Sequence, residues 1–452
     1  MALNGLVSRD IVGNVKTFTL HGEWKDYGVE ECAKVGRVPD NDMMLSSLIR
    51  VALEKMTALQ SFSWDLNTKL LPTVWQGLAN SKVTKLKIRF PPTRNPKPVA
   101  LAPPLPSLVS LTIYDIDPLC YVDDFSVLLL ESKKLRELNM IWSPRMKDVR
   151  EPSISWPTYF GRIAGNPYRM NLQKIGIKNL YSPCDGGCGQ VFDPSMVREI
   201  TIINSIGGSL DDNLSSAFLD PSWGRGDSYG LVGLKMFRSD TLSRSQCGLL
   251  GSIKGLERVY LIDTQMSYQE RLNGIDSPIS SNGTSSTGCS NMDLKDGYID
   301  ALTKHHGDTL RHLLLPPQWR LNTDDIALIV RRCPSLEQLG IGAEYEEFNN
   351  LRLLVPFLPK LRALRLLVSP DDRTFANKMK QLDAEGLHEE KIAAEPTLKD
   401  SRFLIYMGLG DIIFKLDSHK SDSSVERGRK VQRVSSDDVK HVEIWALDSA
   451  DI

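Results

Sequence analysis

Apolar residues recur along this chain in one short spacing: apolar, two residues, apolar, one residue, apolar. The spacing occurs at Val15/Phe18/Leu20, Leu59/Phe62/Trp64, Val83/Leu86/Ile88, Leu108/Leu111/Ile113, Leu135/Leu138/Met140 and Leu172/Ile175/Ile177. It returns at Val197/Ile200/Ile202, Leu231/Leu234/Met236, Leu256/Val259/Leu261, Leu310/Leu313/Leu315, Leu336/Leu339/Ile341 and Leu361/Leu364/Leu366. Three apolar residues at fixed spacing arise often by chance, so the distance between recurrences matters more. Successive starts lie 44, 24, 25, 27, 37, 25, 34, 25, 54, 26 and 25 residues apart, and seven of these eleven gaps fall between 24 and 27. The ending of each triplet alternates, as a half-buried strand does.

The segments between triplets predict helices. Asn322 or Thr323 caps one, Asp324 and Asp325 favour its positive end, and Ile326, Ile329, Val330 and Cys333 share a face before Pro334. Pro72 suits a first helical position, with Val74, Trp75 and Leu78 on one face. Leu48, Val51, Ala52 and Met56 form another face, and Phe125, Leu128 and Leu129 a third, after Asp124 as cap. Gly307 is placed like a helix C-terminal glycine. The repeating unit is therefore strand, loop, helix, loop, with the period of leucine-rich repeats. The fold class is α/β: a leucine-rich-repeat solenoid, or horseshoe, with a concave parallel β-sheet, convex helices and a small C-terminal capping region.

The array is expected over 1–368, interrupted by a disordered insertion at 266–294 that is rich in Ser, Gly, Asn and Thr. Residues 369–416 form a helix and hairpin cap around Gly408–Asp411, 417–434 a flexible linker, and 435–452 a terminal segment with one strand at Val442, Ile444 and Trp445.

Charge narrows the partners. Lys plus Arg number 55 against 56 Asp plus Glu, a net charge of -1, so no nucleic acid or anionic membrane is expected to bind. The seven cysteines are scattered, and the first residues contain no signal-peptide core. A cytoplasmic location is expected, with the basic cluster Arg427, Arg429, Lys430 and Arg433 read first as a solvated linker and second as a nuclear signal.

Candidate chemistry is sparse. Cys184 and Cys188 flank a Gly turn and resemble half a zinc site, but no second pair lies nearby, so free thiols are expected. His305 and His306 point apart on a helix and read as an exposed helix end. Gly408-Leu-Gly-Asp411 lacks the third glycine of a dinucleotide loop and precedes a strand. No catalytic residue, metal or cofactor is expected. The residues flanking the second and third apolar positions face the concave side, which selects a binding face. It comprises Lys85, Lys87, Arg89, Thr112, Tyr114, Glu137, Asn139, Lys174, Lys178, Glu199, Thr201, Lys235, Arg258, Tyr260, Gln338 and Arg365. Its positive bias favours an acidic protein ligand bound by a monomer.

Cys333-Pro-Ser-Leu-Glu-Gln-Leu-Gly-Ile341 resembles the repeat phrase of F-box leucine-rich-repeat proteins. Lys304-His-His-Gly-Asp-Thr-Leu-Arg-His-Leu313 and Val439-Lys-His-Val-Glu-Ile-Trp445 are similar to phrases of fungal members. The resemblance implies a non-catalytic substrate-recognition arm and, in a complete family member, an F-box that docks the adaptor of a cullin-RING ubiquitin ligase. The chain departs from the family at its start: Val15–Leu20 already reads as a repeat strand, and no Leu-Pro phrase with apolar helices precedes it. No F-box is therefore expected.

Overall fold

Each apolar triplet ends in a strand too short to bury its own side chains, so the strands pair in parallel and share a core. A computed structural model describes residues 5, 8–24, 28–91, 101–117, 125–145, 156–180, 191–203, 230–240, 242, 244–262, 291–343, 352, 354–368, 390, 392–393, 395, 397–398, 401, 403–417 and 430–452. The protein is α/β, its strands mostly parallel and ordered along the sheet largely as in the chain. It divides into two compact units, one including Met1–Ile200, the other Thr201–Ser205 and Val232–Asp451.

The first unit holds β1 (Thr17–Gly22), β2 (Ser61–Leu66), β3 (Lys85–Arg89), β4 (Ser110–Ile116), β5 (Glu137–Trp142) and β6 (Lys174–Lys178). The division falls within β7 (Glu199–Ile203). Phe18, Phe62, Leu86, Leu111, Leu138 and Ile175 form one cross-strand column, and Leu20, Trp64, Ile88, Ile113, Met140 and Ile177 the next. These are the second and third positions of six successive triplets.

Helices α1 (Val29–Lys34), α2 (Asp40–Lys55), α3 (Pro72–Ala79), α4 (Ser126–Glu131) and α5 (Gly161–Ala164) lie between the strands in sequence. Pro72 opens α3, which buries Val74, Trp75 and Leu78. Trp75 meets Phe125 edge-on at 6.2 Å, and both line a small cavity with Ile88 and Phe90. The buried face of α2 is rotated from the expected one: Ile49, Ala52, Leu53 and Met56 are buried, while Val51 is exposed. Leu53 faces Gly77 of α3, where a Cβ would come within 3.1 Å of it, and this contact sets the rotation. The expected cap Asp124 lies outside the described residues.

The second unit holds β8 (Met236–Ser239), β9 (Arg258–Leu261), β10 (His312–Leu314), β11 (Arg320–Leu321), β12 (Gln338–Ala343) and β13 (Ala363–Leu367), and then β14 (Tyr406–Leu409), β15 (Ile412–Asp417) and β16 (Lys430–Val434). Its helices are α6 (Arg244–Ser252), α7 (Asn291–His305), α8 (Thr323–Arg332) and α9 (Glu443–Ala446). Phe237, Val259, Leu313, Leu339, Leu364 and Met407 share one column. The triplet at Leu231/Leu234/Met236 is thus misplaced by three residues: Leu234 and Phe237 hold its first two positions.

Asn322 caps α8 in a reciprocal pair with Asp325, whose carboxylate also takes the buried Lys295 ammonium of α7 at 2.6 Å. Gly307 is needed for close approach rather than for a left-handed turn, since a Cβ there would stand 2.4 Å from Arg332 O. His306 is buried, against the expected exposed helix end. It accepts from Leu256 N–H on Nδ1 at 3.2 Å and donates from Nε2 to Leu250 O at 2.8 Å.

The C-terminal region departs furthest from expectation. The hairpin forms, β14 pairing in parallel with β13 and antiparallel with β15. Residues 430–434 of the expected linker are strand β16, paired antiparallel with β15, because Lys430–Val434 find an open edge there. The expected terminal strand is instead a 3₁₀ turn (Ser436–Val439) and α9. Their backbone groups bond locally, and Val439, Val442 and Ile444 are buried. The expected insertion at 266–294 lies outside the described residues except for its last four positions, which open α7.

Ile329→Ala, which empties a buried site in α8, should lower unfolding stability by about 2–5 kcal/mol, whereas Leu328→Ala on the outer side of that helix should cost under ~1 kcal/mol. Urea denaturation of both variants checks this.

Candidate interaction surface

With one strand face committed to the core, the other is available, and each unit uses it differently. On the first unit it carries short polar residues and two bare lysines. One row runs Thr17, Ser61, Lys85, Ser110, Glu137 and Lys174, and the next Thr19, Ser63, Lys87, Thr112, Asn139 and Gly176. Lys85 and Lys87 are exposed, and their ammonium groups have no hydrogen bond or ion pair among the described residues. Lys174 pairs with Glu199 at 3.1 Å. Arg89 is tied down: it bonds Asp65 and, at 2.5 Å, Asp115, and its guanidinium lies 5.0 Å from the Tyr114 ring. His21 completes this chain at 2.6 Å from Asp65. Burial opposes ionisation of Asp65, but the Arg89 and His21 bonds outweigh it and lower its pKa. Asp115 sits at φ 57°, beside the register shift that follows Ile113.

On the second unit the same face is covered by the chain's own C-terminal segment. The rows here are Met236, Arg258, His312, Gln338, Ala363 and Tyr406, then Arg238, Tyr260, Leu314, Gly340, Arg365 and Gly408. The Glu443 carboxylate enters a cage of three donors. Arg258 Nη1 reaches Oε1 at 3.0 Å, His312 Nδ1 reaches Oε2 at 2.8 Å, and Tyr260 Oη donates to Oε2 as well. Ile444 N donates to Gln338 Oε1 at 3.1 Å. Arg365 Nη1 donates to Asp448 Oδ2 at 2.6 Å and Ile444 O at 3.1 Å. Trp445 lies over Gly408, where a Cβ would come within 2.8 Å of its ring.

Arg238 holds the end of this segment. It is 2% exposed and donates Nε to Leu447 O at 2.8 Å, Nη2 to Ser449 O at 2.5 Å and Nη1 to Asp451 O at 2.7 Å. A planar guanidinium presents donors in a fixed fork, which suits three converging carbonyls. Burial pulls its pKa down to about 10, against the opposing charges of Asp240, Asp448 and Asp451, so it remains a cation at neutral pH. Burial likewise disfavours the Glu443 anion, but bonds from His312 and Tyr260 and the Arg258 charge outweigh it and hold its pKa down to about 2. Beside Glu443 an open cleft of about 400 Å³ is lined by Glu257, Arg258, Arg311, His312, Glu337, Gln338 and His441.

The sixteen residues selected from sequence divide accordingly. Lys85, Lys87, Arg89, Thr112, Tyr114, Glu137, Asn139, Lys174, Lys178 and Glu199 lie on β3 to β7 of the first unit. Arg258, Tyr260, Gln338 and Arg365 all contact the C-terminal segment of the second. Thr201 belongs to the second unit and is half-buried. Lys235 precedes β8 and pairs with Glu257 at 2.9 Å, a consequence of the misplaced triplet. Arg238 was missed; correct placement of Leu234 and Phe237 would have found it. His312 stands at the same offset as Arg258 and Gln338 and was within reach of the same rule.

No protein-family model matches the chain, and no curated protein matches it significantly. Among the described residues no helix is long and apolar enough to cross a membrane, and no group of three His, Cys, Asp or Glu side chains is arranged to hold a metal ion. Cys184 and Cys188 lie outside the described residues. Cys333 is buried, and burial raises its thiol to about 12, which keeps it protonated.

Because the Glu443 pKa is depressed in the folded chain, its stabilising contribution is fully present above its ordinary value of 4.5 and is lost as pH falls towards about 2. The stability gap between wild type and Glu443→Gln should therefore narrow from pH 6 to pH 2.5 in urea titrations. A gap constant over that range would contradict the cage.

Proposed function

We propose that the chain is a non-catalytic protein-interaction module: a leucine-rich-repeat solenoid that binds an acidic protein segment on the concave face of its strands. The observation that carries this reading is the polar, half-buried face of β2–β5, from which Lys85 and Lys87 stand exposed side by side among serines and threonines. Short side chains let a partner's backbone approach, and two unpaired ammonium groups select negative charge and speed encounter. His306, bonded through both ring nitrogens, and Cys333, a buried helix end, serve the structure.

A second reading is favoured by the Cys333-Pro-Ser-Leu336 phrase, whose Cys333, Leu336, Leu339 and Ile341 are all buried at a helix-to-strand junction. Its resemblance to F-box repeat proteins makes the chain the substrate-receptor arm of a cullin-RING ubiquitin ligase.

Affinity purification from the native cell with the proteasome blocked, comparing wild type with Lys85→Glu/Lys87→Glu, tests both. The first reading predicts at least a tenfold loss of an acidic partner on charge reversal, and unchanged recovery of every partner would contradict it. Recovery of the cullin adaptor with either chain supports the second reading, and its absence from both opposes it.

A further inference from the structure

Three features of the second unit are not explained by a simple end cap. First, the C-terminal segment does not lie on the sheet edge, which the hairpin β14–β15 and strand β16 already extend. It lies on the face that the repeat architecture leaves open, at the row positions equivalent to Lys85 and Lys87 of the first unit. Second, besides burying Val442 and Ile444, it makes polar, directional contacts. Two carboxylates, Glu443 and Asp448, enter arginine-containing sites, and three carbonyls converge on Arg238. Third, the face provides shaped accommodation for it: Gly408 leaves room for Trp445, and the cleft beside Glu443 continues along Arg258, Arg311 and His312. Charge complementarity is strong, with cations from the sheet meeting anions from the segment.

We propose that the face formed by β8–β10 and β12–β14 is a recognition groove for an acidic peptide segment of a partner protein. That segment would carry a glutamate for the Arg258, Tyr260 and His312 cage, and an aspartate five residues later for Arg365. The chain's own residues 443–451 occupy this groove in the partner's absence as a tethered mimic. The proposal rests on the reading of the chain as a binding module but uses strands of the other unit, not those of Lys85 and Lys87, so either can fail alone. A tethered segment competes at an effective concentration of about millimolar, so a partner must bind well or the segment must be loosened first.

The test uses the full chain and a fluorescent synthetic peptide of residues 435–452, followed by anisotropy. Glu443→Gln/Asp448→Asn, which weakens the tethered segment and leaves the groove intact, should bind the peptide at least tenfold more tightly than wild type. Adding Arg258→Glu should abolish that gain. Equal binding by wild type and the double variant, or binding that survives Arg258→Glu, would overturn the proposal. Hydrogen exchange on the wild type guards against a variant that misfolds. The amides of Trp445 and Leu447 should exchange at least tenfold faster than those of Leu339 and Leu364. Exchange of all four at one common rate would make the segment part of the core and would also overturn the groove. A concentration-dependent dimer that exchanges segments would place a second copy there and overturn the assignment to a partner.

Discussion

A short parallel strand has two faces, and the fold of this protein depends on committing only one of them. The apolar columns through Phe62, Leu86 and Leu111, or through Val259, Leu313 and Leu339, need neighbours on both sides, so no repeat is stable alone. Register follows from this burial, because a slip of one residue would turn every apolar side chain outward. The second face carries no such obligation. It is free to hold Lys85 and Lys87 in one unit and Arg238, Arg258 and Arg365 in the other.

What happens on that free face is set by desolvation. Arg238 is nearly as buried as the leucines, and an uncompensated charge there would be strongly destabilising. The carbonyls of Leu447, Ser449 and Asp451 supply that compensation, with Asp240, Asp448 and Asp451 nearby in charge. The Glu443 cage follows the same logic with the sign reversed. Position in the chain does not explain these contacts; the pairing of buried charge with directional donors and acceptors does.

Much of the array was legible because its signal is local and repeated. The triplet spacing located eleven of twelve strand positions, and Asn322, Asp325 and Pro72 marked helix starts by their own chemistry. The triplet at Leu231 failed because Leu231, Leu234 and Met236 fit the spacing as well as Leu234 and Phe237 do, and only pairing with Arg258 and Val259 decides between them. The α2 face was misread for a similar reason: Leu48 and Val51 are as apolar as Ile49 and Leu53, and contact with Gly77 chose the rotation. The C-terminal segment was the least legible. Val442, Ile444 and Trp445 alternate like a strand, but their partners are Gln338, Arg365 and Gly408, about 40 to 100 residues away in sequence. Long-range polar contacts of that kind leave no periodicity to read.

The central claim is that the C-terminal segment is held on the second unit's open face by specific charge pairs, and a double-mutant cycle between Arg365 and Asp448 tests it most directly. Arg365→Met, Asp448→Asn and the combination would be measured by urea denaturation near neutral pH. The account predicts a coupling of roughly 1–3 kcal/mol, since the two groups meet at 2.6 Å on a largely buried face. Additive effects, with no coupling, would contradict it.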